Sequence, residues 1–305
     1  MGRSLGLDYK AGVRWLIPPL RDYSGRFSAL KTAVFVGLFV PAGFTAYWYA
    51  TDALGARPLT AALHEIGDWT IRFIFLALAI SPLSQLWQWP RLQLVRRMIG
   101  VTAFAYVALH LTLYTTDEMF NLVKVASEIL KRIYLTIGFT AWLGLAALAA
   151  TSTDGMVRRM GARNWQRLHR FVYVIGILAV THYFMQSKLN EWQPTMMAGL
   201  LVWLLGYRVL RWRYGRSRKV GPVAAGLLSL VAGFGTIFGE AMYFWLAFHA
   251  PLMRIIQAEF STMTGIRPGW AVLGLGAAVT LIAALRTFQA NQAKKAKEVQ
   301  LSPAS

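Results

Sequence analysis

The sequence runs to 305 residues; 56% are hydrophobic, 15% are charged, none is cysteine, and the formal net charge is +19. A typical soluble domain is about 25% charged, and a mean hydropathy of +0.43 leaves a soluble fold of this size without the surface it would need. The missing cysteines exclude disulfides, iron–sulfur clusters, cysteine-ligated zinc and covalent haem attachment through C-x-x-C-H.

The first segment, 1–30, is basic and broken by Pro18 and Pro19, with Arg14, Arg21 and Arg26 before the first apolar run. No short apolar stretch with a small-residue cleavage site precedes that run, so it reads as a retained anchor. Runs free of charge then recur at 32–51, 73–90, 98–116, 133–153, 171–187, 192–207 and 268–285, with a further apolar run at 223–250 interrupted only by Glu240. Most can span a hydrocarbon core of about 30 Å as a helix. The sixth is short, and Arg208 and Arg211 extend it if their side chains snorkel to the interface. The expectation is an all-α polytopic membrane protein of about eight transmembrane helices. Six of these spans fall within 31–215 and two within 216–290, with a tail over 291–305.

The loops test that count. With the N-terminus inside, 24 of the 32 Lys and Arg fall on the cytoplasmic side, which is the positive-inside bias of a bacterial inner-membrane protein with both termini cytoplasmic. That distribution explains the basic charge as membrane topology and leaves no nucleic-acid footprint. No G-x-G-x-x-G follows a strand pattern, so no nucleotide-binding domain is expected.

The five histidines are then the main metal-ligand inventory. His110 and His182 sit on the third and fifth spans, which run in the same direction. Each is about 20 Å from the cytoplasmic end at 1.5 Å per residue. Two imidazoles at one depth can clamp a porphyrin iron from both sides, which leaves no open position and favours electron transfer over oxygen chemistry. His169 lies thirteen residues before His182, about 20 Å away along the axis, so the two cannot share one iron. It stands among Arg167 and Arg170 as either an inner ligand or an interfacial contact. The level that would hold its mate is occupied by Arg96 and Arg97. His64 reads as interfacial, and His249, beside Pro251, as structural. Asp68 and Arg72 are spaced as an i,i+4 ion pair, with Arg72 alternatively anchoring a haem propionate. Glu240 is an intramembrane carboxylate, either a proton relay or a helix–helix hydrogen-bond partner.

The stretches WTIRFIFLALAISPL (69–83), RRMIGVTAFAYVALHLTLY (96–114), KRIYLTIGFTAWLGLAALAATST (131–153) and WQRLHRFVYVIGILAVTHYF (165–184) resemble the MsrQ (YedZ) family. These are haem-binding membrane subunits of the ferric-reductase-like transmembrane group. The resemblance covers roughly residues 30–213, implies that the first six spans form a ferric-reductase-like core, and leaves the last two outside it. It implies that His110, His169 and His182 are haem histidines and that Arg96 and Arg97 bind FMN, where paired guanidinium forks suit a phosphate. It also implies a b-type cytochrome that takes electrons from quinol and passes them to a periplasmic molybdopterin-containing methionine sulfoxide reductase subunit. Two other readings stay open at this level: a transmembrane ferric reductase acting on iron itself, and a non-redox transporter whose histidines bind substrate or protons. No internal repeat of the transporter kind is present.

Overall fold

The computed structural model describes Leu20 and residues 26–187, 191–215, 220–261 and 265–301. Arg14, Arg21, Pro18, Pro19, Lys188 and Lys219 lie outside the described residues, as does most of the basic segment 1–30. Apart from a bridge residue at Phe27, the described residues form only helices, turns and connecting loops. In chain order the helices are α1 (Ala29–Ala50), α2 (Pro58–Leu86), α3 (Gln93–Asp117), α4 (Leu122–Lys131), α5 (Ile133–Ala150) and α6 (Asp154–Met160). They continue with α7 (Ala162–His169), α8 (Val172–Gln186), α9 (Trp192–Tyr214), α10 (Pro222–Phe248), α11 (Leu252–Glu259) and α12 (Pro268–Leu301).

Seven of these segments are long and apolar enough to cross a membrane, with α7 and α8 counted together as Ala162–Gln186. The remaining expected span, α9, carries Arg208, Arg211 and Arg213 near its end. Its 23 residues make a rod about 35 Å long that packs against α2, α8, α10 and α12. On the outside of the bundle large apolar side chains such as Phe39 and Phe44 of α1 are exposed, which suits lipid and not water.

α2 is the centre of the bundle. In its most apolar window 56% of residues are buried, against 17% for α1, α3 and α5. The helix also starts at Pro58, fifteen residues before the charge-free run at 73 that the sequence marks. His64, Glu65, Asp68 and Arg72 interrupt the apolar pattern. A central helix tolerates them because neighbouring helices supply partners that lipid cannot. At the other end of the chain, the stretch expected as a tail from 291 stays helical to Leu301. It is rich in Ala, Gln and Lys, which are good helix formers, and Lys294 pairs with Glu298 at 3.7 Å.

Two prolines inside spanning helices free backbone groups, and side chains from other helices fill the gaps. Pro82 has no N–H to offer the carbonyl of Leu78, and Arg208 Nη2 donates to that oxygen at 3.1 Å. Beside Pro41 the hydroxyl of Tyr106 donates to Leu38 O at 2.7 Å and accepts from Ala42 N at 3.0 Å. It thereby bridges a carbonyl and an N–H one turn apart beside the proline. α3 is thus fastened to α1 at the level where α1 loses its own ladder.

The short helix α4 connects α3 and α5 at one end of the bundle, here termed the α4 end. Asn121 caps it by accepting from Lys124 N at 3.0 Å. The opposite end carries Arg96, Arg97, Arg158, Arg159, Arg167 and Arg211. α10 and α12 pack closely, with Gly233, Gly269 and Gly276 each placed where a Cβ would strike the facing helix. The pair lies against α9 and, more lightly, α2.

Tyr106→Phe strands Leu38 O and Ala42 N together in an apolar setting. The expected cost is about 1–3 kcal/mol of stability, read as a lower thermal midpoint in detergent. An unchanged midpoint would mean that the helix closes its own bond without the hydroxyl.

Candidate functional site

The α4 end of α2, α3, α5 and α8 encloses a cavity of about 380 Å³. Both His110 and His182 line it, and the two are held by the same local device. His110 Nδ1 lies 2.9 Å from the carbonyl oxygen of Leu63 on α2, and His182 Nδ1 lies 2.8 Å from that of Tyr134 on α5. A carbonyl can only accept, so each Nδ1 carries the proton and each Nε2 keeps its lone pair.

Four residues after each carbonyl stands a glycine. A Cβ on Gly67 would lie 2.9 Å from His110 Nδ1 and Cε1, and one on Gly138 would lie 2.8 Å from the same atoms of His182. Each ring therefore sits in the space that a side chain on its neighbour would fill. The arrangement of α3 on α2 is repeated by α8 on α5, with Leu63-x-x-x-Gly67 matched by Tyr134-x-x-x-Gly138. The ring is locked by one hydrogen bond and one close contact, and the nitrogen left over can ligate a metal.

The cavity has two chemical ends. Toward the α4 end the walls are His64, Asp68, Tyr114, Tyr183, Gln186 and Gln193; away from it they are Ile71, Ile74, Val107, Leu145 and Trp142. Trp142 stacks on Phe139 with ring centroids 5.6 Å apart, and its buried Nε1 has no hydrogen-bond partner. Unpaired buried donors are rare in finished interiors, so this one marks space for a guest.

The sequence treats His64 as interfacial, and the structure puts it in the cavity wall. Arg72 does not line the cavity. Its Nη2 donates to Gln193 Oε1 at 2.7 Å, lies 3.7 Å from Asp68 Oδ2, and the guanidinium sits 4.7 Å from the centre of the Trp69 ring. Tyr183 donates to the same Gln193 oxygen at 2.9 Å. Of the two sequence alternatives, the ion pair with Asp68 is the contact present.

His169 stands apart from the cavity. Its ring stacks on Trp165 with centroids 3.8 Å apart, Nδ1 lies 3.1 Å from Trp165 O, and Nε2 lies 3.2 Å from Ser152 Oγ. Both nitrogens face protein atoms. The Arg pair also splits. Arg97 Nη1 bonds Asp154 Oδ1 at 2.5 Å, whereas Arg96 has no carboxylate partner among the described residues and faces Arg208 and Tyr173. Arg208 in turn lies 5.5 Å from the centre of the Tyr173 ring.

Gly67, Gly138, Trp142, Tyr183 and Gln193 are site residues that sequence reasoning passed over. A repeated glycine one turn beyond a carbonyl leaves a trace in sequence only once the facing histidine is known.

Comparison with known proteins now bears on this site. The model of the ferric reductase like transmembrane component matches residues 66–180, a stretch that holds Gly67, His110 and Gly138 and ends two residues before His182. A protein-methionine-sulfoxide reductase heme-binding subunit MsrQ from Herminiimonas arsenicoxydans is 36% identical over 201 residues, covering 65% of this chain and 92% of that one. This chain belongs to the MsrQ family. The MsrQ of Azospira oryzae is 40% identical over 199 residues (65% of this chain, 84% of that one). That of Xanthomonas oryzae pv. oryzae is 43% identical over 179 residues (57% and 82%). About a third of this chain thus has no counterpart in those MsrQ alignments, and the matched model ends at residue 180, well before α10. No solved structure matches.

The glycine seats give a direct test. Gly67→Ala and Gly138→Ala push a methyl into an imidazole and are expected to cost about 1–3 kcal/mol each. Gly100→Ala on α3, with nothing within 4 Å of the added carbon, should be neutral or stabilising by about 0.5–1 kcal/mol. Thermal midpoints that rank the three variants equally would show that the ring contacts are slack.

Proposed function

We propose that this chain is the haem-binding electron-transfer subunit of a periplasmic methionine sulfoxide reductase system. In this reading it takes electrons from the quinone pool and delivers them to a molybdopterin-containing partner that reduces methionine sulfoxide in proteins. The observation that carries the reading is the pair of carbonyl-anchored imidazoles, each with an unprotonated Nε2, on two walls of one cavity.

The residues present fit a haem. Iron needs neutral imidazole nitrogens, and the Nδ1 bonds to Leu63 and Tyr134 deliver that tautomer. A macrocycle needs apolar walls with polar groups at one edge for its propionates. The cavity has both, and the unpaired Trp142 Nε1 adds a donor. With no cysteine in the chain, the group is held by ligation and packing alone, as in a haem b. Bound between two imidazoles, it supplies a one-electron iron couple without an open coordination position.

The chain's own residues do the rest. Leu63 and Tyr134 hold the ring orientation, so little reorganisation accompanies electron transfer. His64, Tyr114 and Gln186 offer donors at the polar edge. With α4 on the periplasmic side, His110 and His182 stand about 6–10 Å below the ends of their helices, from residue counts at 1.5 Å each. That depth suits delivery outward. It supports the periplasmic partner over a non-redox transporter. The names of the MsrQ relatives favour sulfoxide reduction over ferric reduction, where the family model alone is neutral.

At the opposite end, Arg96 is the better candidate for an FMN phosphate, with Arg208 beside it and no acid paired with either among the described residues. Arg97 is already engaged by Asp154. His169 could serve a second, inner haem only by giving up its contact with Ser152.

The decisive measurement is haem content by pyridine haemochrome with optical spectra of each variant. His110→Ala or His182→Ala should remove most of the reducible Soret and alpha bands, whereas His249→Ala should leave them. Full haem with unchanged spectra in both of the first two variants would sink the assignment. For the inner site, Arg96→Ala should lower flavin content several-fold and leave the outer haem spectrum intact, with Arg97→Ala weaker. Equal flavin occupancy in wild type and Arg96→Ala would remove that residue from the site.

A further inference from the structure

The helices beyond the matched family core contain a buried charge imbalance. Glu240 of α10 and Glu259 of α11 both pair with Arg267, at the start of α12. Arg267 Nη2 bonds Glu240 Oε1, and Arg267 Nε lies 3.2 Å from Glu259 Oε1. The Glu259 side chain is fully buried and that of Glu240 is 4% exposed. The other oxygen of each, Oε2, is buried with no hydrogen-bond partner, and the two carboxyl groups meet on the same guanidinium.

A third carboxylate, Glu191 at the α8–α9 corner, acts on Glu240 electrostatically. It accepts from Tyr243 at 2.9 Å through Oε1, and its Oε2 is again buried and unpartnered. Two carboxylates therefore share one guanidinium, Glu191 is a third acid acting on Glu240, and Tyr243 is the other titratable group at the cluster. Trp270 Nε1 donates to Glu259 O at 2.7 Å and its ring meets Phe260 edge-on, which seals the cluster.

Two buried carboxylates cannot sit this close with both ionised and one arginine between them unless something removes the surplus charge. Among the described residues no group of three metal-ligating side chains is placed to hold a metal ion. A proton on one of the two unpartnered Oε2 atoms is the smallest cation that would remove the surplus charge.

The cluster also shares a corner with the haem cavity. Glu191 precedes by two residues Gln193, which lines the cavity and accepts from Tyr183 and Arg72. Between them Trp192 Nε1 donates to Ile266 O at 2.7 Å, beside Arg267. Tyr243 packs on Phe184 with ring centroids 6.2 Å apart, and Phe184 is two residues past His182.

We propose that Glu240 and Glu259, clamped by Arg267, form a proton-exchange site whose occupancy is coupled to the redox state of the haem held by His110 and His182. The inference rests on the haem reading above. In the ferric state the iron–porphyrin core would carry one positive charge more than in the ferrous state, which favours the surplus carboxylate in its ionised form. When one electron arrives, from hydroquinone or from dithionite in an assay, that charge is lost. The pair then takes one proton from water at the α4 end, forming one carboxyl O–H bond. On oxidation the same bond breaks and the proton returns to water.

The test uses the full-length protein in lipid nanodiscs. Spectroelectrochemical titration of the haem over a pH series should show a midpoint that falls as pH rises. Glu240→Gln and Glu259→Gln should each flatten that slope, and Asp52→Asn, an exposed acid at the same end, should preserve it. Redox-triggered infrared difference spectra should contain a protonated-carboxyl stretch that shifts in D2O and is missing from both Gln variants. A midpoint independent of pH in the wild type, or a slope unchanged in both Gln variants, overturns the proposal. If neither variant folds, the wild-type infrared band decides, and its absence is equally fatal. A purified protein without haem would instead defeat the functional reading, and this coupling with it, so the two failures are told apart by the optical spectrum.

Discussion

Leu63 and Tyr134 each lend a carbonyl lone pair to an imidazole on the next helix, and the site depends on those two bonds. A helical carbonyl already accepts from within its own helix, but it has a second lone pair. Using it costs the helix nothing and gives the histidine a fixed tautomer. The glycine one turn along removes the Cβ that would hold the ring away. The consequence reaches beyond the cavity, because seating His110 on α2 and His182 on α5 sets how closely α3 and α8 approach their partners. Packing and ligand chemistry are one constraint here.

The same scarcity of hydrogen-bond partners in hydrocarbon explains several contacts that carry no electrons. In α2 Arg208 reaches across to the Leu78 carbonyl that Pro82 frees, and beside Pro41 of α1 Tyr106 bridges Leu38 O and Ala42 N. Arg208 does this with a charged side chain, and so brings a cation to the level of Arg96. A structural need at Pro82 thereby contributes to a basic inner site. The polar residues of α2 follow the same rule: Asp68, Arg72 and Gln193 satisfy one another, and Tyr183 joins them.

The core and its C-terminal addition are joined through α9. One end of that helix presents Gln193 to the cavity, while Trp192 binds the segment before α12 and Glu191 receives Tyr243. None of the cavity-lining residues comes from α10, α11 or α12. The added helices meet the site at the α8–α9 corner, where Glu191, Trp192 and Gln193 stand side by side and face Tyr243, Ile266 and the cavity respectively.

The sequence by itself determined the class of protein. Runs of apolar residues longer than a bilayer is thick, with Lys and Arg sorted to alternate loops, have no soluble solution. Histidine count and spacing also sufficed to separate His169 from His182, since rise per residue is a fixed length. What only the tertiary structure decided is which groups face each other across helices. Asp68 and Arg72 could be read as a pair from i,i+4 spacing, but Gln193 lies 121 residues from Arg72 and no local period connects them. His64, Gly67, Gly138 and Trp142 became site residues only when α2 and α5 were rotated to face the cavity. The splitting of Arg96 from Arg97 has the same cause, because neighbours in sequence point about 100° apart on a helix, one toward Arg208 and the other toward Asp154. Periodicity and composition are properties of one segment in its solvent, whereas a site is a property of several segments at once.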